Sequence, residues 1–313
     1  MTGFQPLMHP TLTDRRFSNA DWLFERKLDG MRALAARDAG PPNLWSRNER
    51  RLDERFPELV EALGERGGPH FVADGEIVAF DGNMMSFARL QERIHLTGAT
   101  RIAATGVDVY YYVFDLLSYD GDDLTRLPLR ERKRILRDAF DFGDPLRFTV
   151  HRNTEGEAFY QDACKRGWEG LIAKRAKSQY RPGRSKDWLK FKCVKDQEFV
   201  VGGFTDPQGS RRGFGALLVG YHEGRGKLRY AGKVGTGYNE RTLRTLRERM
   251  DALAQDHSPF DDPVKERSAH WIHPDLVVQV GFSEWTTDGM LRHPRYRGER
   301  PDKPADDVMR ETI

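Results

Sequence analysis

The sequence predicts an α+β protein of two domains, residues 1–195 and 196–313, the second of them a small β-barrel. Three observations carry that expectation. The chain has 313 residues, a length that favours two domains over one. Strand-like and helix-like stretches alternate up to residues 194–197, and beyond them short strands follow one another across glycine-rich turns. Hydrophobic residues make up 38% of the chain and include 18 Phe, 10 Tyr and 6 Trp, which fills two cores in spite of 32% charged residues. Disorder throughout is excluded by the same composition.

In the first domain, residues 22–26, 71–80 and 107–117 are rich in β-branched and aromatic side chains and read as strands. Residues 56–66 read as a helix. So do residues 129–140, with Pro128 at a first helical position and Leu129, Ile135, Leu136 and Phe140 near helical spacing. Arg130, Arg132, Lys133, Arg134 and Arg137 on that helix read as a solvated face. Residues 154–166 form a third helix, and a domain of this size supports its own core. Past the seam, residues 198–204, 215–222, 227–234 and 276–284 read as strands. One helix interrupts them: Asn239 is a good N-cap, and Leu243, Leu246, Met250 and Leu253 recur at helical intervals. Four or five strands and one helix fit a barrel of the OB-fold kind. Residues 256–267, with Ser258-Pro259 and Asp262-Pro263, read as an exposed loop.

No run of 18 apolar residues occurs, so no membrane-spanning helix is expected. The first six residues have neither the basic cap nor the apolar core of a secretory signal. Cys164 and Cys193 form no CxxC pair, so neither a disulfide scaffold nor a structural zinc site is expected, and a reducing, cytoplasmic setting is. The net charge of +3 is too small to point to nucleic acid. Its distribution says more. Residues 174–192 hold Lys174, Arg175, Lys177, Arg181, Arg184, Lys186, Lys190 and Lys192 against the single acid Asp187. Tyr180 and Trp188 interleave with them, and the local excess of cations suits contact with DNA phosphates. Arg211, Arg212, Arg292, Arg295 and Arg297, near Tyr296, are further candidates.

The sharpest motif is Lys27-Leu28-Asp29-Gly30-Met31-Arg32, directly after an apolar strand. Alone it fits an ordinary hairpin turn. Further short elements follow it in order: Ser46-Arg47-Asn48, Asp74-Gly75-Glu76-Ile77, Phe114-Asp115-Leu116-Leu117, Glu169-Gly170-Leu171-Ile172-Ala173-Lys174, Trp188-Leu189-Lys190-Phe191-Lys192 and Arg300-Pro301-Asp302-Lys303. Together they resemble the covalent nucleotidyltransferases: ATP-dependent DNA ligases, RNA ligases and mRNA capping enzymes. The resemblance runs over nearly the whole chain and is nearest to the ligase module of bacterial DNA ligase D, a nonhomologous end-joining enzyme. The segments 199–204, 213–218 and 232–237 look like the OB domain of that branch. Glu49 stands where many relatives have glycine. The polymerase and nuclease modules often fused to this ligase have no counterpart here, nor does the N-terminal DNA-binding domain of eukaryotic replicative ligases.

The resemblance implies a nucleotidyltransferase (adenylation) domain and an OB domain that together run lysyl-AMP chemistry. Lys27 would attack the α-phosphorus of ATP, its amine freed by nearby cations or burial. Arg32, Arg47, Lys190 and Lys192 would neutralise phosphate charge. Glu76 would hold the ribose hydroxyls, and with Glu169 a Mg²⁺ or Mn²⁺ ion. Phe114 would stack on adenine, and Glu25 would read its amino group. Arg300, Asp302 and Lys303 would orient the departing pyrophosphate once the OB domain swings over. In a strand Lys190 and Lys192 share a face, with Trp188 and Phe191 mostly behind it. Each residue also has a plainer reading, as core aromatic, surface acid or solvated lysine. The implied partners are nicked or broken double-stranded DNA, a Ku-type end-binding protein and separate polymerase and nuclease proteins, with the chain itself a monomer. An RNA ligase, a capping guanylyltransferase and a noncatalytic OB-containing DNA-binding module are the competing readings.

Overall fold

The structure is a computed structural model that describes residues 3–38, 40–193, 195–207, 209, 212–224 and 226–311. The chain forms two compact units, Met1–Cys193 and Val194–Thr312. No helix among the described residues is long and apolar enough to cross a membrane.

The first unit runs β1 (Met8–Leu12), β2 (Trp22–Arg26), β3 (Met31–Asp38), β4 (Asn43–Ser46), α1 (Pro57–Arg66), β5 (His70–Asp81), β6 (Met84–Met85), α2 (Phe87–Gln91), α3 (Ala99–Ala103), β7 (Val109–Tyr119), β8 (Asp122–Asp123), α4 (Leu129–Ala139), β9 (Leu146–Phe148), β10 (His151–Asn153), α5 (Gly156–Lys165), β11 (Gly170–Arg175) and β12 (Gly183–Lys192). One sheet has the order β1-β12-β11-β2-β10. A larger one has the order β4-β3-β5-β7-β8, with β6 on β5 and β9 on β7.

Side-chain parity decides how the sheets are covered. On β3, Met31, Ala33 and Ala35 join α1, α4 and the outward residues of β5 and β7 in one apolar cluster. Leu34 and Ala36 point the other way and join Val72, Val78, Phe114 and Leu117 with Met8, Tyr180 and Trp188 of the first sheet's side. The two sheets therefore share a buried layer. The outer face of the smaller sheet, Trp22, Phe24, Leu171, Ala173 and Phe191, packs under Phe159 and Ala163 of α5. Strands buried on both faces read as continuous apolar runs. That is why the alanine-rich β3 carries no alternating signal.

Helix α4 corrects one expectation. Arg130 and Arg134 are exposed, but Arg132 is 0% and Lys133 2% exposed. Arg132 grips Asp115 with a two-bond fork of 2.7 Å each, and donates to the carbonyls of Leu127 and Ser178. The basic face is therefore half buried by ion pairs, which periodicity cannot distinguish from a solvated one. A second correction concerns the cysteines. Cys164 at the end of α5 and Cys193 just after β12 are joined as a disulfide, with Cα atoms 5.2 Å apart. Residues 29 apart in sequence meet because α5 lies on the strand pair that β12 closes.

The second unit runs β13 (Asp196–Thr205), β14 (Leu217–His222), β15 (Leu228–Val234), α6 (Glu240–Asp251), β16 (Ala254–Gln255), β17 (Ala269–Gly281), β18 (Glu284–Trp285), β19 (Leu291–Arg292) and β20 (Arg295–Glu299). Its sheet has the order β15-β14-β13-β17-β16, with β20 on β17. Register shifts in β13, β14 and β17 bend the strands, as a curled OB-type sheet requires. Asn239 caps α6 by accepting from the Thr242 amide at 2.8 Å, and Leu246 and Met250 face the core. Residues 256–267 carry no regular element, but they are not loose. Phe260 is buried in the core, and Asp261 and Asp262 accept from the amides of Leu228 and Tyr230.

Candidate active site

The smaller sheet presents one face as three rows of residues, fixed by strand register. Leu23, Lys174 and Trp188 lie side by side across β2, β11 and β12; Glu25, Ile172 and Lys190 form the next row. Gly170 lies beside Lys192 on β12, and on its other side its carbonyl accepts from the Lys27 amide at 2.9 Å. The face thus passes from an apolar end with one cation to a polar end with two lysines and a glycine. A purine nucleotide has the same gradient from base to phosphate.

Lys27 sits where β2 ends, its amine paired with the Glu169 carboxylate. Both side chains are mostly buried, at 20% and 16% exposure. Lys190 and Lys192 are half-buried on the same face. Trp188 shares that face instead of lying behind it, because residues two apart in a strand point alike. Phe191 does lie behind, in the cluster under α5.

The facing sheet supplies the rest. Arg32, Glu76 and Tyr112 are cross-strand neighbours on β3, β5 and β7. The Arg32 fork turns to Asp74, with both bonds 2.6 Å, and Nη2 also donates to the Met8 carbonyl. Tyr180 donates its hydroxyl hydrogen to Asp74 at 2.7 Å and accepts from the Met8 amide. Burial pulls the Arg32 guanidinium's proton affinity down, but the adjoining Asp74 carboxylate outweighs it and raises its pKa above the ordinary arginine range. Burial, reinforced by the charge of Asp74, likewise drives the Tyr180 hydroxyl well above its usual value. Phe114 is 6% exposed. Its ring carries the Arg32 guanidinium at 4.7 Å and the Lys174 ammonium at 4.1 Å, two cations drawn to its negative face. Arg47 lies half-buried in the turn after β4. Ser46 Oγ organises that turn by accepting from the amides of Asn48 and Arg50.

Glu25 is no surface acid: it is 2% exposed. Its Oε1 lies 2.6 Å from Lys133 Nζ and its Oε2 2.7 Å from Lys174 Nζ. Burial pushes its carboxyl up, and the two ammonium groups more than reverse this, leaving it below the ordinary carboxylate value. Burial and the charge of Lys133 lower Lys174, against the pull of Glu25. Lys133 lies outside every sequence motif, and its only signal in the sequence is a basic residue on a helix face. Lys174, Tyr180 and Trp188 are all buried, so they drop out of the basic surface expected over residues 174–192. Arg175, Lys177, Arg181, Arg184 and Lys186 remain exposed.

In the second unit, Arg300 forks onto Asp302 at 2.9 and 2.8 Å, and Lys303 reaches Glu198 at 3.3 Å. Glu198, a β13 residue with no role in the sequence reading, also lies 3.7 Å from Arg300 and so links the motif to the barrel. Arg212, Arg292, Arg295 and Arg297 are exposed, and Arg292 pairs with Glu284. Tyr296 is buried, and Arg211 lies outside the described residues.

Comparison with known proteins converges on one family. The family model described as "ATP dependent DNA ligase domain" matches residues 8–192, and "ATP dependent DNA ligase C terminal region" matches residues 210–303. The chain is 38% identical over 299 residues to the "Multifunctional non-homologous end joining protein LigD" of Pseudomonas aeruginosa, covering 93% of this chain and 35% of that protein. It is 30% identical over 303 residues to the DNA ligase of Thermococcus fumicolans, covering 91% of this chain and 53% of that one. The solved structure "mycobacterial DNA ligase D complexed with ATP and MES" matches at 35% identity and a TM-score of 0.69, covering 98% of each chain. The chain spans between 35% and 39% of the length of the LigD relatives it matches. A ligase-domain model over residues 8–192, a second over residues 210–303 and relatives at 30–38% identity agree, and the chain belongs to the ATP-dependent DNA ligase family.

Proposed function

We propose that this chain seals DNA breaks bearing a 5′-phosphate and a 3′-hydroxyl, in three phosphoryl transfers through lysyl-AMP. One observation carries the reading: Lys27 is paired with Glu169 at the polar end of the three-row face. In the first transfer the Lys27 ammonium gives up protons to Glu169 or solvent, its nitrogen bonds to the α-phosphorus of ATP, and the bond to the pyrophosphate oxygen breaks. The 5′-phosphate oxygen of the DNA then takes the adenylyl group and returns the lysine. Last, the 3′-hydroxyl oxygen attacks that 5′-phosphorus and AMP leaves, the hydroxyl proton passing to solvent or AMP. Lys190 and Lys192 lie where the α-phosphate falls if the base takes the apolar end, and they stabilise its charge. Phe114 offers the stacking face, Glu25 the acceptor for the adenine amino group, and Glu76 the ribose contact. Arg47 faces the phosphates. Arg32, held by Asp74, supports Phe114 more directly than it meets phosphate. Arg300, Asp302 and Lys303 assist the departure of pyrophosphate.

Glu169 and Glu76 offer hard oxygen donors, and no group of three His, Cys, Asp or Glu side chains gathers among the described residues. This donor chemistry fits Mg²⁺ or Mn²⁺ when substrate phosphates complete the coordination shell. Such an ion would supply Lewis-acid stabilisation of the phosphoryl charge. The end-joining role belongs to the same proposal and is supported by the names of the LigD relatives; a Ku-type partner, separate polymerase and nuclease partners, a monomeric state and a cytoplasmic setting are proposed with it.

The test uses α-labelled ATP or GTP with Mg²⁺ or Mn²⁺, after removal of any AMP carried from expression. Label from ATP on a denaturing gel, lost in Lys27→Ala and chased into nicked DNA in preference to nicked RNA, is the expected result. Label from GTP alone sinks the reading in favour of a capping enzyme, chase into RNA alone favours an RNA ligase, and no label favours a binding module.

A further inference from the structure

The cluster behind the adenine-facing end of the cleft contains a residue to which neither the motifs nor the chemistry above gives a role. Lys133 of α4 is as buried as Glu25, and its ammonium faces three acceptors. Glu25 Oε1 lies at 2.6 Å, the Thr149 carbonyl at 3.0 Å and the Phe114 carbonyl at 3.3 Å. The carboxylate contact is an ion pair and the two carbonyls accept hydrogen bonds, so one ammonium bridges all three groups. Two of the three acceptors belong to residues that meet the base in the reading above. Glu25 supplies the edge acceptor, and Phe114 supplies the stacking ring. Lys133 therefore ties the edge contact to the face contact without lying on the cleft face itself. Lys174, the other partner of Glu25, differs: it lies over the rings of Phe114 and Trp188, at 4.1 and 4.2 Å.

Purine chemistry makes this placement matter. Adenine presents an amino donor at its sixth position where guanine presents a carbonyl acceptor. A carboxylate kept ionised is acceptor-only and rejects guanine, whereas a protonated carboxyl is also a donor and tolerates it. Two ammonium groups against one carboxylate keep it ionised in a buried site. Each carboxylate oxygen retains a second lone pair for the base after pairing with its lysine.

We propose that Lys133 is a positioning residue for base selection. By closing on Glu25, Phe114 and Thr149 together, it holds Glu25 as an ionised acceptor at the register of a base stacked on Phe114, and so sets the preference for ATP over GTP. This rests on the adenylation reading above. The two fail differently: absence of any adduct in the unaltered protein sinks that reading, whereas the present proposal is decided by ratios among variants that do form adducts.

The experiment measures kcat and KM for self-nucleotidylation with ATP and GTP in the unaltered protein and in Lys133→Met, Lys133→Arg, Glu25→Gln and the Glu25→Gln/Lys133→Met pair. Thermal melts run alongside. Lys133→Met should raise the KM for ATP about tenfold or more and cut the ATP:GTP preference by a similar factor, with a smaller change in kcat. Lys133→Arg, which keeps the charge, should recover part of that preference. An unchanged preference in a folded Lys133→Met protein overturns the proposal. So does a fall in kcat with KM and preference intact, the signature of a merely structural role. If Lys133→Met does not fold, the paired variant decides by comparison with Glu25→Gln: it leaves one buried ammonium, Lys174, where Glu25→Gln alone leaves two. The paired variant should match the preference of Glu25→Gln alone, since Lys133 acts through Glu25. A further loss of preference beyond Glu25→Gln shows that Lys133 acts independently, and overturns the proposal.

Discussion

Glycines stand in the site motifs where two backbones pass too closely for a side chain. A Cβ on Gly30 would lie 2.2 Å from the Ile77 carbonyl oxygen, so the turn after Lys27 can tuck under β5 only as glycine. A Cβ on Gly170 would lie 1.9 Å from the Phe191 carbonyl, and its φ of +146° lies outside the range favoured by other residues. The spacing of these motifs thus records backbone contacts as well as chemistry. Glu49 shows the reverse case. Its φ is +58°, in the left-handed region where relatives were expected to carry glycine. That conformation costs a non-glycine residue about 1–2 kcal/mol. Glycine's greater freedom in the unfolded chain offsets about 0.5–1 kcal/mol of the gain from replacing it. Glu49→Gly should therefore stabilise the protein by about 0.5–1 kcal/mol, read as a higher urea midpoint at unchanged slope. A lower midpoint would show that the exposed Glu49 side chain makes contacts worth more than its backbone costs.

At the scale of elements, the strands and helices with uninterrupted apolar patterns were legible, and so were the site motifs, because each is a local string of a few residues. Lys27, Glu169, Lys190 and Lys192 come together through strand register, which preserves the spacing visible in the sequence. What stayed illegible depends on partners distant in the chain. Helix α4 is the clearest instance: Arg132 and Arg134 are the same residue type two positions apart, yet one is buried against Asp115 and the other is exposed. Only the fold, which brings β7 beneath the helix, tells them apart. The same blindness hid Lys133 from view and the disulfide partner of Cys164. This difference can be measured. Arg132→Ala leaves the Asp115 carboxylate buried without its fork and should cost about 3–5 kcal/mol. Arg134→Ala loses exposed pairs with Glu131 and Asp138 and should cost less than about 0.5 kcal/mol. Denaturant unfolding of the two variants checks both figures, and similar losses would mean that α4 does not dock through Arg132.

At the scale of the whole molecule, the question is why the residues assigned to pyrophosphate departure sit in the barrel unit, whereas the nucleophile sits in the other. On the proposed mechanism pyrophosphate leaves only in the first of the three transfers, so residues proposed to serve it would be needed for adenylation and not for sealing. Truncating the chain just before Arg300, so that residues 300–313 are lost, is a poor test of this. Val308 is 1% exposed in the barrel core, and its carbonyl accepts from the His222 amide at 2.7 Å. Met309 likewise accepts from Gln197 Nε2 at 3.1 Å, so the deletion would damage the fold itself. Lys303→Ala is the cleaner variant. Its ammonium is held by Glu198, which keeps Arg300 nearby when the lysine is gone, so the barrel should melt at its usual temperature. Self-adenylation should then slow by about a hundredfold, the scale of losing one charge-stabilising donor. Sealing of nicked DNA that already carries the adenylate should stay within about threefold of the unaltered rate, because that transfer expels AMP and releases no pyrophosphate. Equal losses in both assays would place Lys303 in binding or folding and remove it from the chemistry of the first transfer.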